Sequence, residues 1–118
     1  MSNPNAGFTP VDVILIMTTL PDPLLADALA RALVDQREAA CVSRIGPLHS
    51  VYQWEGSPEE AEEHLLLIKT RPDQYAAVES RILAMHPYHI PEVISFRPEQ
   101  VEPRYLAWLD ASVGPGHP

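Results

Sequence analysis

A ferredoxin-like α+β chain, with strands and helices in the order βαββαβ and one helix more, is predicted by three observations. Residues 11–19 form a β-branched, nearly all-apolar run followed by a helical repeat. Residues 39–70 stay extended on both sides of a Glu-Gly-Ser-Pro connection. A second helical repeat then leads through a proline-pinned loop into a short apolar run and a last helix. Right-handed crossovers turn this order into a four-stranded antiparallel sheet with helices on one face.

The first strand, Val11 to Thr19, reads as central and covered on both faces. Asp22 is placed to cap the next helix, with Pro23 at its first position. Leu25, Leu29 and Leu33, with Ala28 and Ala32, supply that helix's apolar stripe, and it should end near Glu38. Ala39 to Trp54 is a long strand bent at Gly46-Pro47. Residues 55–58 make a hairpin connection, and Glu59 to Thr70 runs back. Glu59 to Glu63 reads as a solvated tip or a weak attractor of cations.

Thr70-Arg71-Pro72-Asp73 has capping-box spacing, with Asp where Glu or Gln is usual. The helix that follows runs to about Met85, with Tyr75, Val78, Ile82 and Met85 on its apolar face. His86-Pro87-Tyr88-His89-Ile90-Pro91-Glu92 is a stiff loop, since each proline fixes its own φ and restrains its predecessor. Val93 to Phe96 reads as a buried strand, and Pro103 opens a final helix packed through Tyr105, Leu106, Trp108 and Leu109. Residues 1–10 and 114–118 read as tails flanking one domain at 11–113.

The chain has 118 residues, a net charge of −8 and one cysteine, Cys41. Such an acidic chain repels nucleic acid and anionic membrane surfaces and draws cations. The apolar run at Val13–Met17 is too short to span a bilayer. A single thiol suits a reducing compartment, and the polar start lacks the basic region of a signal peptide, so a cytoplasmic protein is expected. The long hairpin outreaches what two helices can cover. Strand edges of that length are normally paired, so a closed homo-oligomer is expected.

Several motifs in order carry a family resemblance: Ala40-Cys41-Val42-Ser43, then Ser50-Val51-Tyr52-Gln53-Trp54-Glu55-Gly56, then Glu63-His64-Leu65-Leu66-Leu67-Ile68-Lys69-Thr70. His86-Pro87-Tyr88 with Pro91-Glu92 and Tyr105-Leu106-Ala107-Trp108-Leu109 complete the set. Together they resemble the CutA family of divalent-cation tolerance proteins. The resemblance implies a ferredoxin-like subunit in a homotrimer similar to the PII signalling proteins. It also implies an association with copper and other divalent metals, with no enzymatic reaction securely attached.

In bacterial members of the family the suggested copper site uses a cysteine at the end of the first strand and two histidines before Pro-Tyr. The matching positions here are Met17, Met85 and His86, so only His86 keeps its type. Thioethers are soft ligands, so a surviving site would favour Cu(I) over Cu(II) and Zn(II). Both methionines read more readily as core filling, Met17 in the strand and Met85 in the helix. Cys41 reads as a small buried hydrophobe, or as a nucleophile if His86 lies beside it. Tyr52, Trp54, Lys69, Tyr88 and Glu92, with Cys41, form a candidate ligand cleft, with interface packing and a Lys69–Glu92 ion pair as the structural alternatives.

The function expected is a metal-ion response exercised by binding rather than catalysis. One rival is a PII-like sensor that holds a small anionic ligand between subunits, with Lys69 as its anchor. The other is an enzyme using Cys41 or the His86–Glu92 loop.

Overall fold

The computed structural model describes residues 13–114. The two expected tails, apart from Gly114, and the first two residues of the expected first strand lie outside them. Strands β1 (Ile14–Leu20), β2 (Cys41–Trp54), β3 (Ser57–Thr70) and β4 (Ile94–Phe96) form one antiparallel sheet in the order β2-β3-β1-β4. Helices α1 (Pro23–Asp35), α2 (Tyr75–Met85) and α3 (Pro103–Ser112) complete the fold, with a single 3-10 turn at Pro72–Gln74 before α2.

One parity of the two central strands makes the core. Ile14, Ile16, Thr18 and Leu20 of β1 are buried and stand opposite Thr70, Ile68, Leu66 and His64 of β3, also buried. Ala26, Leu29 and Leu33 of α1 and Val78 and Ile82 of α2 close over them, with Tyr75 and Met85 packed alongside. Burial of each such aliphatic side chain contributes about 1.5–3 kcal/mol. A small second cluster of Val13, Leu109 and Val113 seats α3.

The other face of the sheet is open. Leu15, Met17 and Thr19 are only half-buried, against the expectation that β1 is covered on both sides. Strand β4, expected to be buried, is exposed along its length because it forms a three-residue edge. Trp108, expected to pack, is 50% exposed, and Ala28 is exposed while Ala26 and Ala30 face the core.

Local chemistry explains the remaining differences. Helix α1 stops at Asp35, before Glu38, because Arg37 turns into the left-handed region at φ +58°. The Glu38 N–H then reaches the Leu33 carbonyl and the Arg37 N–H that of Val34, the paired bonds of a Schellman end. Asp22 does cap α1, accepting from the Leu24 N–H at 2.9 Å. The capping box before α2 does not form. The Thr70 hydroxyl donates to the Glu38 carbonyl at 2.6 Å, and Asp73 pairs with Arg71.

The hairpin turn is shorter than expected. Glu55 and Gly56 alone make it, both at positive φ (50° and 81°), and Trp54 pairs directly with Ser57. The bend falls at Gly46-Pro47, where the β2–β3 register shifts between Ile45 and Leu48 and the Gly46-Pro47 peptide is cis. Beyond the bend the hairpin projects as an exposed arm, which carries the molecule to 57 Å in its longest dimension.

Candidate functional site

The site lies where the 86–92 loop crosses the end of β1 and meets the hairpin arm. Helix α2 ends as the His86 N–H bonds to the Ile82 carbonyl at 2.8 Å, with His86 itself extended at ψ 136° ahead of Pro87. The His86 imidazole, 9% exposed, then turns inward. Its Nε2 lies 2.7 Å from the Thr19 carbonyl, and its Nδ1 accepts from the Tyr88 N–H at 3.1 Å. This pair of partners specifies the Nε2–H tautomer and engages both ring nitrogens. Tyr88 stacks on the same ring, centroid to centroid 4.8 Å, tilted by 48°.

From there the Tyr88 hydroxyl donates to Oε2 of Glu63 on β3 at 3.1 Å. Glu63 is 6% exposed, which corrects its reading as part of a solvated tip. Only the outer members of that run, Glu59, Glu60 and Glu62, face solvent. Burial, followed by the charge of Glu63, pushes the Tyr88 phenol up to about 12. Glu92 closes the same corner. Its Oε2 is buried without a hydrogen-bond partner, and burial together with the nearby Glu63 charge raises its carboxyl above the ordinary value.

These groups line an open groove of about 670 Å³. Its walls are Val51, Tyr52 and Trp54 on the arm and Pro87, Tyr88 and Ile90 on the loop, and Glu63 and Glu92 supply its charge. Four members of the expected cleft thus come together: Tyr52, Trp54, Tyr88 and Glu92. Cys41 and Lys69 do not join them. They are register partners at the far end of the sheet, where Lys69 Nζ lies 3.8 Å from Cys41 Sγ and 3.4 Å from the Ser43 hydroxyl. Neither the Lys69–Glu92 ion pair nor a Cys41–His86 pair forms. Lys69 stands opposite Leu15, whereas His86 binds Thr19, four residues and about 13 Å further along β1.

The copper set fares the same way. Met85 packs against the helix-side core, Met17 alternates onto the opposite face of β1, and both nitrogens of His86 are engaged. These residues do not fit a metal centre. Among the described residues no group of three or more His, Cys, Asp or Glu side chains is placed to hold a metal ion, and no helix is long and apolar enough to cross a membrane. The residues that sequence reasoning missed are Glu63 and the Thr19 carbonyl. The sequence already places Glu63 on the returning strand, two residues before the apolar run 65–68, but its neighbours Glu59, Glu60 and Glu62 make it read as part of a solvated tip.

A ferredoxin-like sheet with one open apolar face and an acidic, aromatic-walled groove beside its long hairpin defines an α+β domain of the CutA type. The chain belongs to the family described as CutA1 divalent ion tolerance protein, whose model matches residues 14–112. It is 36% identical to the divalent-cation tolerance protein CutA of Thermus thermophilus over 85% of this chain and 97% of that one. It is 38% identical to protein CutA of mouse over 88% of this chain, but spans only 59% of the mouse protein's length. Among solved structures, CutA from Xylella fastidiosa superposes with a TM-score of 0.84 at 39% identity, covering 87% of this chain and 99% of that one.

Proposed function

We propose that this chain serves divalent-cation tolerance as a homotrimeric binding protein rather than as a catalyst, and that it binds positively charged groups in the groove beside Tyr88. The observation that carries this reading is the juxtaposition of Glu63 and Glu92 in a groove that no Lys or Arg lines among the described residues. An anionic ligand would meet two carboxylates there, and Lys69, its expected anchor, is engaged elsewhere. The nucleophile reading that paired Cys41 with His86 is not favoured, since the neighbour of the Cys41 thiol is Lys69.

Trimer formation is supported by the open sheet face, where Ile45, Ile94 and Phe96 are more than 40% exposed and Leu15, Met17 and Leu67 half-covered. A bound Cu(I) would require His86 to release Thr19 or Tyr88 and Met85 to leave the core. Two carboxylates are also too few for a tight cage for a hard cation, so direct metal uptake should be weak, about millimolar.

Native mass spectrometry of the reduced, metal-free chain, titrated in turn with Cu(I), Cu(II) and Zn(II), tests the reading. We expect a trimer whose cation uptake falls in Glu92→Gln and survives in His86→Ala. Tight uptake of one Cu(I) per subunit, lost only in His86→Ala, would instead restore the Met17–Met85–His86 site.

A further inference from the structure

We infer that the groove is a binding site for a primary organic ammonium, with the –NH₃⁺ group between the carboxylates of Glu63 and Glu92 and the apolar body against Trp54, Tyr52 and Tyr88. This rests on the groove being the place where the chain binds its ligand, and it names the class of that ligand.

Three observations select an ammonium. The first is an acceptor without a donor: Glu92 Oε2 is buried and unpartnered, while Glu63 gives one oxygen to Tyr88 and keeps the other. A carboxylate is acceptor-only, and an –NH₃⁺ group carries three donors on a single positive centre. A divalent ion held by two carboxylates would have to fill the rest of its shell with water, which the groove's largely apolar walls do not favour.

The second observation is the walls. Tyr52 and Trp54 are 43% and 42% exposed on the arm, and Tyr88 faces them from the loop. Aromatic faces around a cation contribute about 0.5–1 kcal/mol each at exposed sites and reject nothing apolar. A fully hydrated metal ion gains little from such walls, whereas an alkyl or aryl amine uses both the walls and the acids. The third is charge. Burial and the field of Glu63 both disfavour ionisation of Glu92, and a positive group between the two carboxylates would offset both. The groove's size, about 670 Å³, lies within the range of small-molecule sites.

Isothermal titration calorimetry on the full, reduced, metal-free chain decides the matter. Benzylammonium is the probe, benzyl alcohol and benzoate are its neutral and anionic counterparts, and Zn(II) and Mg(II) are run separately. We expect saturable benzylammonium binding at one per subunit, at least tenfold weaker for benzyl alcohol and absent for benzoate. Glu92→Gln should weaken it tenfold or more and Trp54→Ala several-fold.

The comparison of probes uses the unaltered chain, so it stands even if a variant folds poorly. Equal binding of benzylammonium and benzyl alcohol overturns the proposal, as does benzylammonium binding that Glu92→Gln and Trp54→Ala leave unchanged in folded protein. Uptake of a divalent ion lost in Glu92→Gln, with none of benzylammonium, overturns the ammonium while keeping a cation groove. No binding of any cation overturns both.

Discussion

The phenol of Tyr88 donates to the buried carboxylate of Glu63 at 3.1 Å, and this bond fastens the proline-pinned loop to the third strand. Replacing Tyr88 with Phe keeps the ring that stacks on His86 and removes only the donor. Glu63 then stays buried with less support, so Tyr88→Phe should cost about 1–2 kcal/mol in urea unfolding.

The same contact sets an alkaline limit. The Tyr88 phenol is raised from 10.0 to about 12 in the fold, so between those values the native state holds a proton that the unfolded chain has lost. Stability from this group is complete below pH 10 and is lost as pH climbs towards 12. Phenolate absorbance should show one tyrosine titrating near pH 12 in the native protein, and that step should vanish in Tyr88→Phe.

Glu92 acts in the acid range with the same sign. Its carboxyl is raised above 4.5 by burial and then by Glu63, so just above pH 4.5 the native state binds more protons than the unfolded one. Its contribution is therefore most favourable in acid and declines as pH rises through that window. Glu92→Gln should remove the decline and unfold later than the parent chain at pH 7. Melting curves across pH 4–8 measure both effects.

How far the residues announced this arrangement depends on the kind of signal. Element order was legible because the prolines at 23, 72, 91 and 103 and the Glu55-Gly56 turn punctuate the chain. The two faces of β1 were not, since Val-Ile-Leu-Ile-Met offers no polar alternation, and only the pairing of Ile16 with Ile68 and Met17 with Leu67 tells the sides apart. The groove was half legible. Tyr52, Trp54, Tyr88 and Glu92 are unusual residues in turn-rich segments, whereas Glu63 was hidden in a run of four glutamates. Lys69 and Cys41 were grouped with the cleft by motif, and the antiparallel register carries them to the other end of the sheet. The end of α1 was missed because Arg37 occupies a left-handed position that glycine usually marks.

Arg37 also holds the last helix. Its Nε donates to the Gly114 carbonyl and a terminal nitrogen to that of Ala111, both at 2.9 Å, while its own carbonyl accepts from the Gly114 N–H. Arg37→Ala removes the two side-chain bonds and keeps the backbone one. It should cost about 1–2 kcal/mol and speed amide exchange in the last turn of α3 without altering the groove.

Gly46 tests the coupling between the hairpin bend and the groove. A Cβ added there would lie 2.8 Å from Nδ1 of the buried His64 and 3.1 Å from the Glu63 carbonyl oxygen. Neither neighbour yields easily, because His64 is 6% exposed opposite Leu20 and the Glu63 carbonyl belongs to the strand backbone. Gly46→Ala should therefore destabilise the chain by about 1–3 kcal/mol through overpacking. The displaced backbone carries Glu63, so the same change should weaken cation binding in the groove although residue 46 does not line it. Arg37→Ala is the matched control: its loss of stability is similar, yet it leaves Glu63 in place. Comparable binding losses in the two variants would mean that the groove responds to global stability. A loss confined to Gly46→Ala would mean that the bend positions the acid pair.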